Sequence, residues 1–220
     1  AGGELPETDE GAIVSIADKI DSIVGFFGAN QMPTGTADPY GLRRQALGIL
    51  NIILHKKYRL DLPDLIDRSM AILGDKLRRS PAETKKDVLD FFRGRLENQL
   101  ISQGHPYDVV DAVLAVGISD IGKAMVKIGA VEDIKGHPDF QPLAIAFKRV
   151  VNILKGFKGG SVDPTLFETD VERDLYEAWM GLEAKIEDFL EKGEYREALA
   201  HLVQFRKPVD SFFEGVLVMA

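Results

Sequence analysis

An all-α fold is predicted by three features of this sequence. Apolar residues recur at spacings of three and four almost throughout, and period-two alternation is scarce. Two stretches, Asp38-Pro39 and Ser80-Pro81-Ala82-Glu83, also carry the chemistry of helix starts. The first helix is predicted over 11–27, with Ile13, Ile16, Ala17, Ile20, Ile23, Val24 and Phe27 inward, and "GANQMPTGTA" breaks it. At Asp38-Pro39 the carboxylate can cap orphan amides, and proline at the first helical position loses no hydrogen bond, so a second helix runs to about Lys57. "DLPDLIDRSMAILGDKL" makes a third. The serine and glutamate of Ser80-Pro81-Ala82-Glu83 stand three apart, as a capping box requires, and open a helix through about Gln103. "HPYDVVDAVLAVG" and "DIGKAMVKIGAV" predict two short helices, and "HPDFQPLAIAFKRVVNILKGF" a longer one that ends before the linker "KGGSVDP". A long acidic helix follows over about 166–192, with Gly193 as its C-cap, then "EYREALAHLVQF" and "PVDSFFEGVLVM". The polar junction "GDKLRRSPAE" places a domain boundary near Ser80, giving regions 1–80 and 81–220.

The 220 residues, 45% hydrophobic, are enough for a substantial core. No apolar run reaches the ~18 residues of a membrane helix, so no membrane partner is expected. Without cysteine, disulfides and thiolate metal sites are excluded, which fits a cytoplasmic setting. The chain lacks an initiator Met and stops on the apolar "GVLVMA", so it is expected to be part of something longer. Its net charge of −8 is uneven: residues 161–200 hold twelve acids against four bases, and the remainder is neutral. Two stretches without acids carry Arg43, Arg44, Lys56, Lys57 and Arg59, and Lys148, Arg149, Lys155 and Lys158. The acidic helix reads either as a solvated face or as a protein-binding one.

No catalytic centre is legible. His55, His105, His137 and His201 are scattered without metal-ligand spacing, and Gly159-Gly160-Ser161 lacks the lysine and preceding strand of a phosphate loop. Asp18, in an Ala-Asp-Lys context, looks like the last metal-binding Asp of helical HD-type phosphohydrolases, but no histidine precedes it, so it is expected to pair with Lys19 or with Arg43 and Arg44. No metal site is expected. The helix "AFKRVVNIL" is more informative. Leu143, Phe147, Val150, Val151 and Leu154 share a predicted core face, while Lys148, Asn152 and Lys155, flanked by Arg149, form a cationic polar stripe. Lysines there would reach phosphates, and Asn and Arg base edges, as in recognition of unpaired RNA; a plain solvated surface is the other reading.

The motifs "ADKIDSIVGFF", "PTGTADPYGLRRQALGIL", "YDVVDAVLA", "FKRVVNIL" and "KPVDSFFEGVLVMA" resemble, in order and rough spacing, the beta subunit of the two-subunit bacterial-type glycyl-tRNA synthetase, over essentially the whole chain and toward that subunit's C-terminal part. The resemblance implies the end of an HD-like helical region and a connector over 1–80, and over 81–220 a DALR-like anticodon-binding helical bundle truncated at its C-terminus. It implies an enzyme that joins glycine to its tRNA with ATP and Mg, in an alpha2beta2-type assembly whose alpha subunit holds the adenylate-forming site. This chain would be non-catalytic alone, with no cofactor of its own and no DNA partner. It would bind glycine tRNA; the residues expected to do so come from the cationic stripe, Lys148, Arg149, Asn152 and Lys155, and from the other basic stretch, Lys56, Lys57 and Arg59. Arg43 and Arg44 would tie the loop before them to Asp18, Asp21 or Asp38, or reach RNA. A helical scaffold that docks the alpha subunit or a second beta subunit is the alternative. Truncation would expose Phe212, Phe213, Val216 and Leu217.

Overall fold

A computed structural model describes residues 4–217; Val218, Met219 and Ala220, which end the run "GVLVMA", lie outside the described residues. Among those described the fold is all helical, as expected. The order is α1 (Asp9–Gly28), α2 (Leu42–Lys56), α3 (Leu62–Leu73), α4 (Pro81–Ser102), α5 (Tyr107–Val116), α6 (Ile121–Lys135), α7 (Phe140–Ile153), α8 (Asp170–Lys192), α9 (Tyr195–Gln204) and α10 (Arg206–Gly215). Packing divides the chain into two units, Ala1–Ile128 and Gly129–Ala220, with the division inside α6.

In the first unit α1 packs against α2, α3 and α4. Its buried stripe is Ala12, Ile16, Ile20, Ile23, Val24 and Phe27. Ile13 is 61% exposed, and Ala17 is exposed too, contrary to the expected inner face. Each lies about 100° around the helix from the neighbour that is buried, which takes it off the stripe. Asp38 does cap the second helix, but from outside it. Its carboxylate accepts from the amides of Leu42 at 2.8 Å and Arg43 at 3.0 Å, and the helix starts at Leu42. At α4 Ser80 caps the helix as expected, the Glu83 amide donating to Ser80 Oγ at 3.3 Å, but the Glu83 carboxylate accepts from the Ser80 hydroxyl at 2.7 Å and not from its backbone amide as a full capping box would.

The compact units part at Ile128 and Gly129, whereas the sequence suggested a boundary near Ser80. The chain around Ser80 is nevertheless bound to its own unit. The amides of Arg78 and Arg79 both donate to the Gly28 carbonyl, at 2.9 and 3.0 Å, and the Arg79 guanidinium pairs with Asp87 on α4 at 2.6 Å. Gly28 permits this approach, since a Cβ there would collide with the Leu77 side chain.

In the second unit α8 packs against α9 and α10, and α10 also packs against α7. Thr169 and Glu172 form a capping box at the start of α8, and Gly193 ends the helix at φ 76, a left-handed conformation glycine adopts without a Cβ penalty. The Glu172 carboxyl is held below its ordinary value by the Thr169 amide and hydroxyl. Arg196 pairs with Asp133, and Arg206 with Asp139 and Asp210, so salt links join α9 and α10 to the segment around α6 and α7. The expected exposure of the last apolar residues holds for Leu217, 84% exposed; Phe212, Phe213 and Val216 are half-buried, the two rings in edge contact at 5.6 Å.

Candidate nucleic-acid interface

α7 is amphipathic because Leu143 and Ala146 are buried, with Phe147 and Val150 half-buried beside them. Lys148, Asn152 and Lys155 are exposed, and none of their side chains has a partner among the described residues. Val151 and Leu154, expected inside, are 62% and 48% exposed: Val151 lies about 100° around the helix from half-buried Val150, and Leu154 follows the last helical residue. The outward surface therefore mixes cations with apolar side chains. Arg149 differs from its neighbours. Its guanidinium lies 4.1 Å from the centre of the Phe213 ring, a cation–π contact that joins α7 to α10.

Past the end of α7, Phe157 stands 64% exposed between the exposed Lys155 and Lys158. A ring with cations on both sides suits stacking of an unpaired base whose phosphates face the lysines. Phe157 was not picked out from the sequence, although the signal, an aromatic between two lysines in "KGFKGG", was available.

The loop before α2 accounts for the paired arginines separately. Thr34 and Ala37 exchange backbone hydrogen bonds, 3.1 and 2.8 Å, around Gly35. Arg43 donates to the carbonyls of Gly35 at 2.7 Å and Ala37 at 3.4 Å, so it braces the turn through main-chain oxygens. Tyr40 stacks on Phe26 at 3.9 Å and fixes the far side of the loop. Among the described residues the guanidiniums of Arg43 and Arg44 reach none of Asp18, Asp21 and Asp38; Asp38 is tied to Arg43 through the Arg43 backbone amide instead. Asp18 is exposed without a partner among the described residues, Lys19 donates to Ser15, and Asp21 accepts from the buried Ser69 hydroxyl at 2.6 Å. Arg44 points about 100° away from Arg43, exposed and unpartnered among the described residues.

Of the other cations, Lys56 is occupied internally: it donates to the Glu7 carbonyl at 2.7 Å and pairs with Asp9 at 3.3 Å. Lys57 ends α2 in the left-handed region, φ 54, and is exposed, as is Arg59. The Tyr58 hydroxyl donates to Asp9 at 2.7 Å. This bond, reinforced by Lys56, holds the Asp9 carboxyl below its ordinary value, and the same bond, helped by desolvation and then by the Asp9 charge, pushes Tyr58 up from 10.0 to about 12. The consequences have opposite signs. Asp9 contributes stability above the ordinary carboxylate range and loses it as pH falls through its lowered value; Tyr58 contributes below pH 10.0 and loses it as pH rises toward about 12. Tyr58→Phe is expected to raise the Asp9 pKa toward its ordinary value, read by NMR titration, and to remove this residue's share of the alkaline loss.

Among the described residues no three His, Asp or Glu groups converge as a metal site, and no helix is long and apolar enough to cross a membrane. Residues 1–115 match the model of a family described as glycyl-tRNA synthetase beta subunit. Over its whole length the chain is 59% identical to the glycine–tRNA ligase beta subunit of Syntrophus aciditrophicus (strain SB), covering 100% of this chain and 32% of that protein. The identities to the same subunit of Syntrophotalea carbinolica and Geobacter metallireducens are 51% and 49%, with the same coverage. The chain belongs to the glycyl-tRNA synthetase beta subunit family. The family match takes in "ADKIDSIVGFF", "PTGTADPYGLRRQALGIL" and "YDVVDAVLA"; the α7 motif "FKRVVNIL" lies within the full-length similarity to the relatives. This member spans 32% of the length of the glycyl-tRNA synthetase beta subunits it matches.

Proposed function

We propose that this chain is a tRNA-binding part of a glycine–tRNA ligase beta subunit, and that it holds the anticodon arm of glycine tRNA through the outward surface of α7 and the segment after it. The observation that carries the proposal is the free stripe Lys148, Asn152 and Lys155, continued by exposed Phe157, in a chain of this family. Lysines there would neutralise phosphates, Asn152 would read a base edge, and Phe157 would stack an unpaired base. Arg149 acts as a positioning residue, since its stacking on Phe213 fixes the helix that carries the stripe. Lys57, Arg59 and Arg44 are exposed cations available for further phosphate contacts, whereas Lys56 and Arg43 are structural.

In this proposal the chain positions tRNA and another subunit performs chemistry. ATP and Mg belong to an alpha-subunit site in an alpha2beta2-type cytoplasmic assembly, and no step through them is assigned to residues of this chain. The DALR-like identity of the helices after Ser80 is part of the same proposal and rests on motif order. A second reading is favoured by one observation: Ile145 and Val151 of α7, and Leu154 just after it, are exposed, and exposed apolar side chains are what docking the alpha subunit or a second beta subunit would require. The cations interspersed among these separate side chains favour RNA, because protein-docking cores are depleted in charge. Binding of the chain to glycine tRNA, and to the same tRNA with a substituted anticodon, separates the two readings.

A further inference from the structure

A groove of about 440 Å³ in the first unit is lined by Asn51 of α2, by Arg95, Asn98 and Gln99 of α4 and by Gln103 at the end of that helix, with Leu47 as its apolar wall. Helical spacing of three and four brings the α4 residues onto one face. No carboxylate lines the groove. Five arginines of the chain are half-buried: Arg43, Arg79, Arg93, Arg95 and Arg206. Four of them donate to oxygen, Arg43 to carbonyls and Arg79, Arg93 and Arg206 to aspartates. Arg95 has no oxygen partner among the described residues. Its Nε is sealed from solvent and unpaired, and its one aromatic contact is with Phe91, 6.0 Å to the ring centre. A guanidinium partly removed from water without an acceptor is costly to hold, which makes an anion a favourable occupant.

The amides narrow the occupant further. Gln99 donates to Asn51 Oδ1 at 2.9 Å, while Gln99 Oε1 is buried and unpaired; Asn98 donates to the Gly94 carbonyl at 2.7 Å and keeps its own carbonyl oxygen free. Inorganic phosphate would satisfy Arg95 and leave these acceptors without donors. A phosphate carrying ribose hydroxyls and a base supplies them, and Leu47 offers the base an apolar wall. Arg44, unpartnered and exposed, lies on the same face of α2 one turn before Leu47 and two before Asn51, where a second phosphate could sit.

We infer that the α2–α4 groove is a binding site for a nucleoside phosphate, with Arg95 as the phosphate ligand and Asn51, Asn98 and Gln99 as the groups that recognise the nucleoside. The site does not depend on the α7 proposal, because it lies in the other unit and its simplest ligand contains no tRNA. Its occupant comes either from a free nucleotide or from a nucleotide within an RNA strand.

The test is a titration of the intact chain with each of the four ribonucleoside monophosphates, with a short single-stranded oligoribonucleotide and with inorganic phosphate, followed by the side-chain amide signals of Asn51 and Gln99. Saturable shifts with a monophosphate identify a free-nucleotide site. Shifts with the oligoribonucleotide alone identify an RNA site. In either case Arg95→Gln is expected to weaken binding at least about tenfold, the scale of one lost charge-assisted contact. Asn51→Ala, at an exposed position that keeps the fold intact, is expected to weaken the nucleotide and leave inorganic phosphate unaffected. The inference is overturned if neither nucleotide form binds better than inorganic phosphate, or if Arg95→Gln leaves their affinity unchanged while lowering the melting temperature. The latter result would make Arg95 a structural partner of Gln99. Displacement of the nucleotide by no competitor except a carboxylate-bearing peptide would also overturn it, since the groove would then be a protein contact.

Discussion

Phe92→Ala is expected to destabilise the chain by about 3–5 kcal/mol, the range for deleting a fully buried phenyl ring that its surroundings cannot collapse to fill. Phe92 is completely buried in α4, beside Phe91 in edge contact at 6.4 Å, and Phe91 in turn meets Phe27 of α1 at 5.1 Å. The ring therefore belongs to the packing that joins α4 to the helices before Ser80. Phe157→Ala is the matched control. Its ring is 64% exposed, so truncation is expected to change stability by no more than about 0.5 kcal/mol. Urea denaturation followed by far-UV circular dichroism measures both. Equal effects would mean that the two aromatic rings are not divided between core and surface as described.

Lys148→Glu with Lys155→Glu is expected to lower affinity for glycine tRNA by roughly tenfold per reversed charge, from loss of one charge-assisted contact at each position. The plot of log affinity against log salt should become shallower by about one per lysine. Both side chains are exposed and unpartnered among the described residues, so the melting temperature should be nearly unchanged. The comparison is with Lys56→Ala, which removes a cation already bound to Glu7 and Asp9; that variant should alter the Asp9 titration and leave tRNA affinity close to the parent's. If Lys56→Ala weakens RNA binding as much as the double reversal, the effect is one of total charge and α7 has no special role.

Much of the fold was legible in the sequence because helix starts are local chemistry. The Asp38 carboxylate, the Ser80 hydroxyl and Gly193 act on residues within a few positions of themselves, so their roles could be read without knowing what packs where. Burial was less legible. Ile13 and Ala17 on α1, and Val151 and Leu154 on α7, have the spacing of core residues, but which edge of an apolar stripe is covered depends on the neighbouring helices. Near Ser80, likewise, the sequence shows a charge on Arg79 without showing that Asp87 answers it.

The candidate interface was legible in part. Lys148 and Asn152 share a face by helical periodicity, while Lys155 lies just past Ile153, the last residue of α7. That Arg149 stacks on Phe213 does not follow from periodicity, because the two are distant in sequence and meet through the packing of α7 on α10. Arg43 was expected to find a carboxylate and instead finds the carbonyls of Gly35 and Ala37, acceptors that every residue carries and that only the shape of the turn brings together. Arg95 and its groove left no sequence signal, since a half-buried arginine is distinguished by the partner it lacks.

The most direct measurement is the dissociation constant of this chain for glycine tRNA and for the same tRNA with a substituted anticodon, at low and moderate salt. Tighter binding of the native tRNA at both salts, with Asn152→Ala closing the gap while the lysine reversals weaken both tRNAs alike, is the predicted result. Equal affinity for the two tRNAs, or no binding to either at low salt, would contradict it.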